Sequence, residues 1–349
     1  MEVTNRSENN ILWIDVAKFL AMFLVVFEHV ILAFNLQNTD YIAYIRNVVI
    51  SFHMPLFFFV GGYLYKQKSK SDNYSKILWG LLIPYLIYQF LYLPLKLGFY
   101  IFYEHIPSFV VAIKCFIGII LGDNLGTTGS NFSLSVCPAC WFIMVMMQLR
   151  LIFAQININR KNLFLLCFFS ILIQILLNLY NIDLYFCIDN TLYAIPYFCV
   201  GVYFKNYSDG LKITTKRKNV LLILTLFVLL QISYFYKSVF HNLLSMYLCG
   251  FVGTFFLIFL SQLSQKTSNF VTVIGKNTLF LIFFQSLLLF ITKWIKIPAL
   301  YSAISQTSNL LIISIFYSCA IYVISYFVIL LLYKYDLRII LGKFKKEKK

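Results

Sequence analysis

Asp15, Lys18 and His29 lie in the first apolar stretch of the chain, ILWIDVAKFLAMFLVVFEHVILAF. Ionisable groups are costly inside hydrocarbon, so three in one apolar segment point to function. On a helix, His29 falls about 20° from Lys18, and Asp15 lies within about 60° of both. The three therefore share one stripe, which must face a protein interior or a wet cavity. Asp15 and Lys18 are spaced to pair on that face; a purely structural ion pair is the simpler alternative. Histidine is the side chain best suited to take a proton near neutral pH. A neutral imidazole beside a sugar hydroxyl would make that hydroxyl a nucleophile. Glu28 falls about 100° from His29 and so off the stripe. It is expected to orient His53 or a third helix, and to matter less than the stripe residues.

A second constellation follows in SFHMPLFFFVGGYLY, with His53, Pro55, Gly61 and Gly62. Proline in a spanning helix frees a carbonyl that protein or water must satisfy. The glycines admit a neighbouring helix or a ligand closely. The simpler reading makes Pro55 a kink and bonds His53 to a carbonyl across the bundle. If the first helix runs outward and the second inward, His29 lies about 6 Å and His53 about 12 Å below the outer face. Lys18 lies about 16 Å from His29 along the axis, toward the cytoplasm. Such a vertical polar track suits a proton path or a thin threaded substrate. His53, Glu28, Gly61, Gly62, Tyr63 and Trp141 are the candidate substrate-binding positions. Gln148 and Arg150 are expected to close the fourth helix at the inner face. Gln285 is expected to hydrogen-bond across the bundle, and Lys293 and Lys296 to snorkel.

The elements that hold these residues must be transmembrane helices. The chain is 61% hydrophobic and 12% charged, with a mean hydropathy of +0.81, whereas a soluble domain is about 25% charged. Runs long enough to span hydrocarbon occur at 11–33, 45–65, 77–101, 138–155, 162–180, 190–204, 219–236, 243–263, 277–295 and 308–333. The run 109–121 is too short to span and reads as re-entrant or interfacial. The expected fold is all-α, a polytopic bundle of about ten helices over 11–333. It forms one domain with a basic tail, 334–349. No cleavage site follows the first stretch, which reads as a retained helix.

The formal charge of +16 is a topology signal. Basic residues cluster at Lys66, Lys68, Lys70 and Lys76, at Lys205, Lys212, Lys216, Arg217 and Lys218, and in the tail KFKKEKK. The positive-inside rule puts these loops and both termini in the cytoplasm, against anionic lipid. Nucleic acid is excluded as a partner, because no soluble basic surface with interleaved aromatics is present. Tyr and Trp near segment ends form an interfacial belt. The eight cysteines are mostly scattered in apolar helices. Cys137-Pro-Ala-Cys140 reads as two helix-start cysteines, with a disulfide or redox pair as the alternative. Zinc is excluded for want of a second ligand pair.

Three of these stretches resemble the acyltransferase-3 family of polytopic membrane acyltransferases, and within it the fucose 4-O-acetylase-like, polysaccharide-modifying members. Asp15-x-x-Lys18 followed by ten residues and His29 resembles the family's basic-residue–ten–histidine signature. FHMPLFFFVGGYLYK is similar to its second-helix motif, IGKNTLFLIFFQ to its late-helix pattern, and WFIMVMMQL agrees in part. Gly61 stands where many members have serine, and Gln285 where many have a late histidine. The resemblance implies transfer of an acyl group, usually acetyl, from cytoplasmic acetyl-CoA or another acyl-CoA to a hydroxyl of a cell-envelope polysaccharide or its lipid-linked precursor. His29 would be the catalytic base, with Lys18 and Asp15 as essential partners. No bound cofactor or metal is implied beyond the donor. Further partners are membrane lipids and glycan-assembly proteins, and the location is the bacterial cytoplasmic membrane. A ternary complex is favoured over an acyl-enzyme, because no cysteine or serine is paired with a base by spacing.

Two other readings stay open at this point. One is a transporter or flippase using Asp15, His29 and His53 as a proton relay, although no repeated half or matched pair of broken helices supports it. The other is a structural subunit of an envelope assembly, which would not need His29.

Overall fold

The computed structural model describes residues 2–34, 36, 40–67, 69–102, 105, 107–122, 133–207, 220, 223–224, 226–227, 239–263, 267–295 and 310–343. The expected span at 219–236 lies largely outside them. The middle of the loop at 123–132, the basic run at 212–218, most of the lysine tail, Lys296 and the side chain of Lys293 also lie outside. The described chain is helical, with no strand among the described residues.

Its helices are α1 (Glu2–Ala33), α2 (Asp40–Ile50), α3 (His53–Tyr63), α4 (Lys70–Ile77), α5 (Ile83–Phe102), α6 (Ser108–Leu121), α7 (Trp141–Gln155), α8 (Arg160–Leu179), α9 (Ile188–Tyr207), α10 (Val239–Gln262), α11 (Asn269–Lys276), α12 (Thr278–Ile295) and α13 (Leu310–Lys334). A π-helical turn, Leu78–Leu82, joins α4 to α5 in one long element. Several starts are set locally. Ser69, Asn159 and Ser268 each accept a hydrogen bond from the backbone N–H three residues on, capping α4, α8 and α11. Gly122, at φ +65°, ends α6 in the left-handed conformation that glycine adopts without a steric penalty.

The protein is a polytopic helical membrane protein. Among the described residues, seven helical stretches are long and apolar enough to cross a bilayer, and the bent pair α11–α12 makes an eighth if it is one span. The segment at 190–204 is indeed helical, but Asp189, Asn190 and Thr191 dilute its apolar character, and it is not among the seven. The run at 109–121 forms α6, fourteen residues and too short to span. Phe109 and Phe116 on α6, Phe164, Phe168 and Phe169 on α8, and Phe316 and Phe327 on α13 are exposed. In a bilayer these faces meet lipid.

Helix α1 is central. It packs against α3, α10, α11, α12 and α13. The edge-on contact of Trp13 with Tyr63, centroids 5.3 Å apart, sets the start of the apolar stretch of α1, Leu12–Ala33, level with the end of α3, while His29 near its other end lies near His53 at the start of α3, so the two helices run in opposite directions. The expected second span is one stretch, Tyr41–Tyr63, broken at Ser51 and Phe52. The break frees carbonyls, and local side chains take up two of them. Ser51 Oγ donates to Val48 O at 2.7 Å, and His53 Nδ1 donates to Val49 O at 2.7 Å.

Glycines allow α3 and α9 to touch backbone to backbone. A Cβ on Gly62 would sit 2.1 Å from Phe198 O, and one on Gly201 would sit 2.1 Å from Phe59 O. A backbone atom cannot move aside as a flexible side chain can. Gly62→Ala should therefore destabilise the fold by about 1–3 kcal/mol through overpacking. Gly80, where a Cβ would meet nothing within 4 Å, should accept alanine without loss. Thermal unfolding of both variants in detergent checks the contrast.

Candidate functional site

The site is built on α1. Near the start of its apolar stretch, Leu12–Ala33, Lys18 Nζ lies 3.0 Å from Asp15 Oδ1, and Asp15 is buried. The expected pair therefore forms. Helix α11 closes on it through Gly275, where a Cβ would lie 2.3 Å from Asp15 O. On the same helix, Tyr322 of α13 donates to Phe19 O at 2.8 Å.

About 16 Å farther along the axis the second half of the site gathers residues from four helices. Glu28 is buried, and its Oε1 accepts from both Nε and Nη2 of Arg46 on α2, each at 3.0 Å. Its Oε2 faces His29 Nε2 at 3.7 Å, an ion-pair distance if the ring is charged but too long for a hydrogen bond. The other ring nitrogen, His29 Nδ1, meets Gln285 Nε2 of α12 at 3.1 Å. The His29 side chain is 33% exposed, so the ring is held from two sides and open on a third. His53 is buried close by, with Nδ1 bound to Val49 O. The histidine carbonyl partner is thus in its own span and not across the bundle, and the bond puts the ring proton on Nδ1.

This geometry corrects the placement of Glu28 off the functional stripe. The wheel angle is right, but Glu28 reaches around to Arg46 and still presents an oxygen to His29. Sequence reasoning misses Arg46, although its spacing to His53 holds the signal. Seven residues bring two positions to within about 20° on a helix, so an arginine on the histidine face is legible. Gln285 is where cross-bundle bonding is expected, and its partner is the histidine itself.

The other candidates have different surroundings. Gly61 and Gly62 face α9 and α7: a Cβ on Gly61 would lie 2.6 Å from Met146 Cε, and Gly62 abuts Phe198. Tyr63 stacks on Phe59, and Trp141 meets Phe58 and Phe142 at the start of α7. Cys137 and Cys140 are both buried free thiols in the helix-start turn.

A second polar feature lies beyond the end of α3. A cavity of about 270 Å³ is lined by Tyr65, Lys66, Asn73, Lys76 and Arg150 among others. Arg150 Nε is buried there without a hydrogen-bond partner. Lys205 donates to Tyr65 O at the same place. Burial, and then the charge of Lys66, hold the Lys205 ammonium below its ordinary pKa. Cations drawn together in this way favour an anion between them. Among the described residues no cluster of three or more His, Cys, Asp or Glu is arranged to hold a metal.

Comparison with known sequences gives one assignment. A family model described as an acyltransferase domain matches residues 11–334. No curated protein and no solved structure matches the chain.

The buried carboxylate gives a direct test of the architecture. Glu28→Gln leaves Arg46 facing a neutral amide and should cost about 3 kcal/mol, as when one partner of a buried pair is removed. The double change Glu28→Gln with Arg46→Met should lose less than the two singles summed. Thermal unfolding of the four proteins measures that coupling, and additive losses would mean that the pair is not formed.

Proposed function

The chain belongs to the acyltransferase-3 family, and from that premise we propose that it transfers an acetyl or other acyl group from cytoplasmic acyl-CoA to a hydroxyl of a cell-envelope polysaccharide or its lipid-linked precursor. It is a membrane acyltransferase, and the donor, the acceptor and the base are the proposed part. The observation that carries the reading is His29: an imidazole open on one side, inside a membrane bundle, with a buried carboxylate next to one ring nitrogen.

In the proposed reaction the acceptor hydroxyl attacks the thioester carbonyl. His29 takes the hydroxyl proton as the new C–O bond forms, and the C–S bond breaks. The imidazolium then returns the proton to the departing thiolate, so charge and protons balance. Glu28 lowers the energy of the transient imidazolium through its charge, while Arg46 holds the carboxylate in place. At about 16 Å along the axis, Lys18 cannot touch a carbonyl placed beside His29. Asp15 and Lys18 are therefore assigned to the donor's path through the bundle.

The cavity lined by Lys66, Lys76 and Arg150 supports a phosphate-bearing donor. It adjoins the basic loop that the positive-inside rule puts in the cytoplasm. Arg150 supplies a buried donor without a partner, suited to an anionic oxygen. The setting proposed is the cytoplasmic membrane of a bacterium.

Purified protein in proteoliposomes, given labelled acetyl-CoA and candidate glycans, tests the reading. His29→Ala should lower transfer by about 10²–10⁴-fold, the usual contribution of a positioned general base. Asp15→Asn and Lys18→Ala should also abolish transfer with protein still in the membrane. Arg150→Met should raise the acetyl-CoA concentration needed for half-maximal rate and leave the maximal rate nearly unchanged. In cells, loss of glycan export in His29→Ala with ester groups still present on the residual glycan would favour a carrier instead.

A further inference from the structure

Gln285 is fully buried on α12, and its side-chain nitrogen approaches His29 Nδ1 at 3.1 Å and Ile282 O at 3.3 Å. Its Oε1 is buried with no hydrogen-bond partner. An amide nitrogen only donates. With the nitrogen toward the ring, His29 Nδ1 must accept, and the proton of a neutral ring sits on Nε2. That nitrogen faces the Glu28 carboxylate at 3.7 Å. In this register neither ring nitrogen has a free lone pair, and the imidazole cannot act as a base.

Base chemistry at Nε2 requires the proton on Nδ1, and an Nδ1–H that faces Gln285 needs an acceptor there. Half a turn of the Gln285 amide brings the unpartnered Oε1 to that place, at the expense of the bond to Ile282. We infer that Gln285 is a positioning residue that decides which nitrogen of His29 carries the proton. With the amide nitrogen toward the ring the histidine is idle, and with the amide oxygen toward it the Nε2 lone pair is free for a hydroxyl.

Proton bookkeeping agrees with this assignment. When Nε2 takes the hydroxyl proton, both ring nitrogens become donors. Nδ1–H then needs the Gln285 oxygen, and Nε2–H faces Glu28. Among the described residues, Glu28 stands beside the ring on α1, His53 on α3 is near enough to couple to it, and Arg46 on α2 is bound to Glu28. Gln285 on α12 is the uncharged member, and it can present a donor or an acceptor without changing its protonation.

The inference rests on the acyl-transfer reading for its role in turnover, but the state of His29 can be measured without turnover. Diethyl pyrocarbonate modifies neutral imidazole, and peptide mass spectrometry follows His29 separately from the other histidines across pH. The full chain in proteoliposomes is used for wild type, Gln285→Glu and Gln285→Met. The carboxylate offers only acceptors to Nδ1–H, so Gln285→Glu should raise the pH midpoint of His29 modification by about one unit, as a close opposite charge does. It should retain transfer, with the acidic limb of the pH profile displaced the same way. Gln285→Met, which keeps the length and loses the hydrogen bond, should lower the maximal rate about tenfold or more, with the acetyl-CoA requirement unchanged. Gln285→Asn, which withdraws the amide from the ring, should behave like Gln285→Met and replaces it if that variant does not fold. An unmoved midpoint in Gln285→Glu, or wild-type turnover in Gln285→Met or Gln285→Asn, overturns the inference. A displaced midpoint in a protein that transfers no acyl group leaves the inference standing and removes the acyl-transfer reading.

Discussion

Hydrocarbon offers a charged side chain no water, so the helix that carries Asp15, Lys18, Glu28 and His29 can exist only if other helices enclose it and answer each group. That constraint organises the whole bundle. Helix α1 is surrounded by α3, α10, α11, α12 and α13, while α6, α8 and α13 turn large apolar side chains outward. Lys18 answers Asp15, Arg46 answers Glu28, and Gln285 answers His29. The histidine is the least completely enclosed of these groups, which suits its proposed role as the base.

The breaks in the helices serve the same end. The interruption at Ser51 and Phe52 lets Arg46 approach α1 while His53 satisfies the carbonyl of Val49. The 86° bend between α11 and α12 sets Gly275 against Asp15 and still allows Gln285 to reach His29. Irregular backbone at membrane depth is tolerated where it is enclosed in protein, and both breaks adjoin the polar groups of α1.

The two ends of the track have different chemistry. One end holds a compact acid–base pair enclosed by helices, near the level of a basic cavity. The other holds an imidazole between an amide and a carboxylate. Their separation along α1 argues against a single crowded catalytic cluster. It fits the proposed division of labour, in which one end handles an elongated donor and the other handles the proton.

Much of this was legible from residue order. Hydropathy alone identifies a helical membrane protein, because no other solvent could bury such a chain. The wheel relation of Asp15, Lys18 and His29 follows from helix geometry, and so does the Asp15–Lys18 pair, since an i,i+3 contact is local. The ion pair of Glu28 with Arg46, the meeting of Gln285 with His29, and the cavity that joins Lys66 and Lys76 to Arg150 were decided by the tertiary structure. Each unites residues far apart in the chain, and their distances depend on where α2 and α11–α12 bend and which helices pack together. Periodicity fixes the face of a helix on which a side chain stands, but what stands opposite is fixed only when the helices pack.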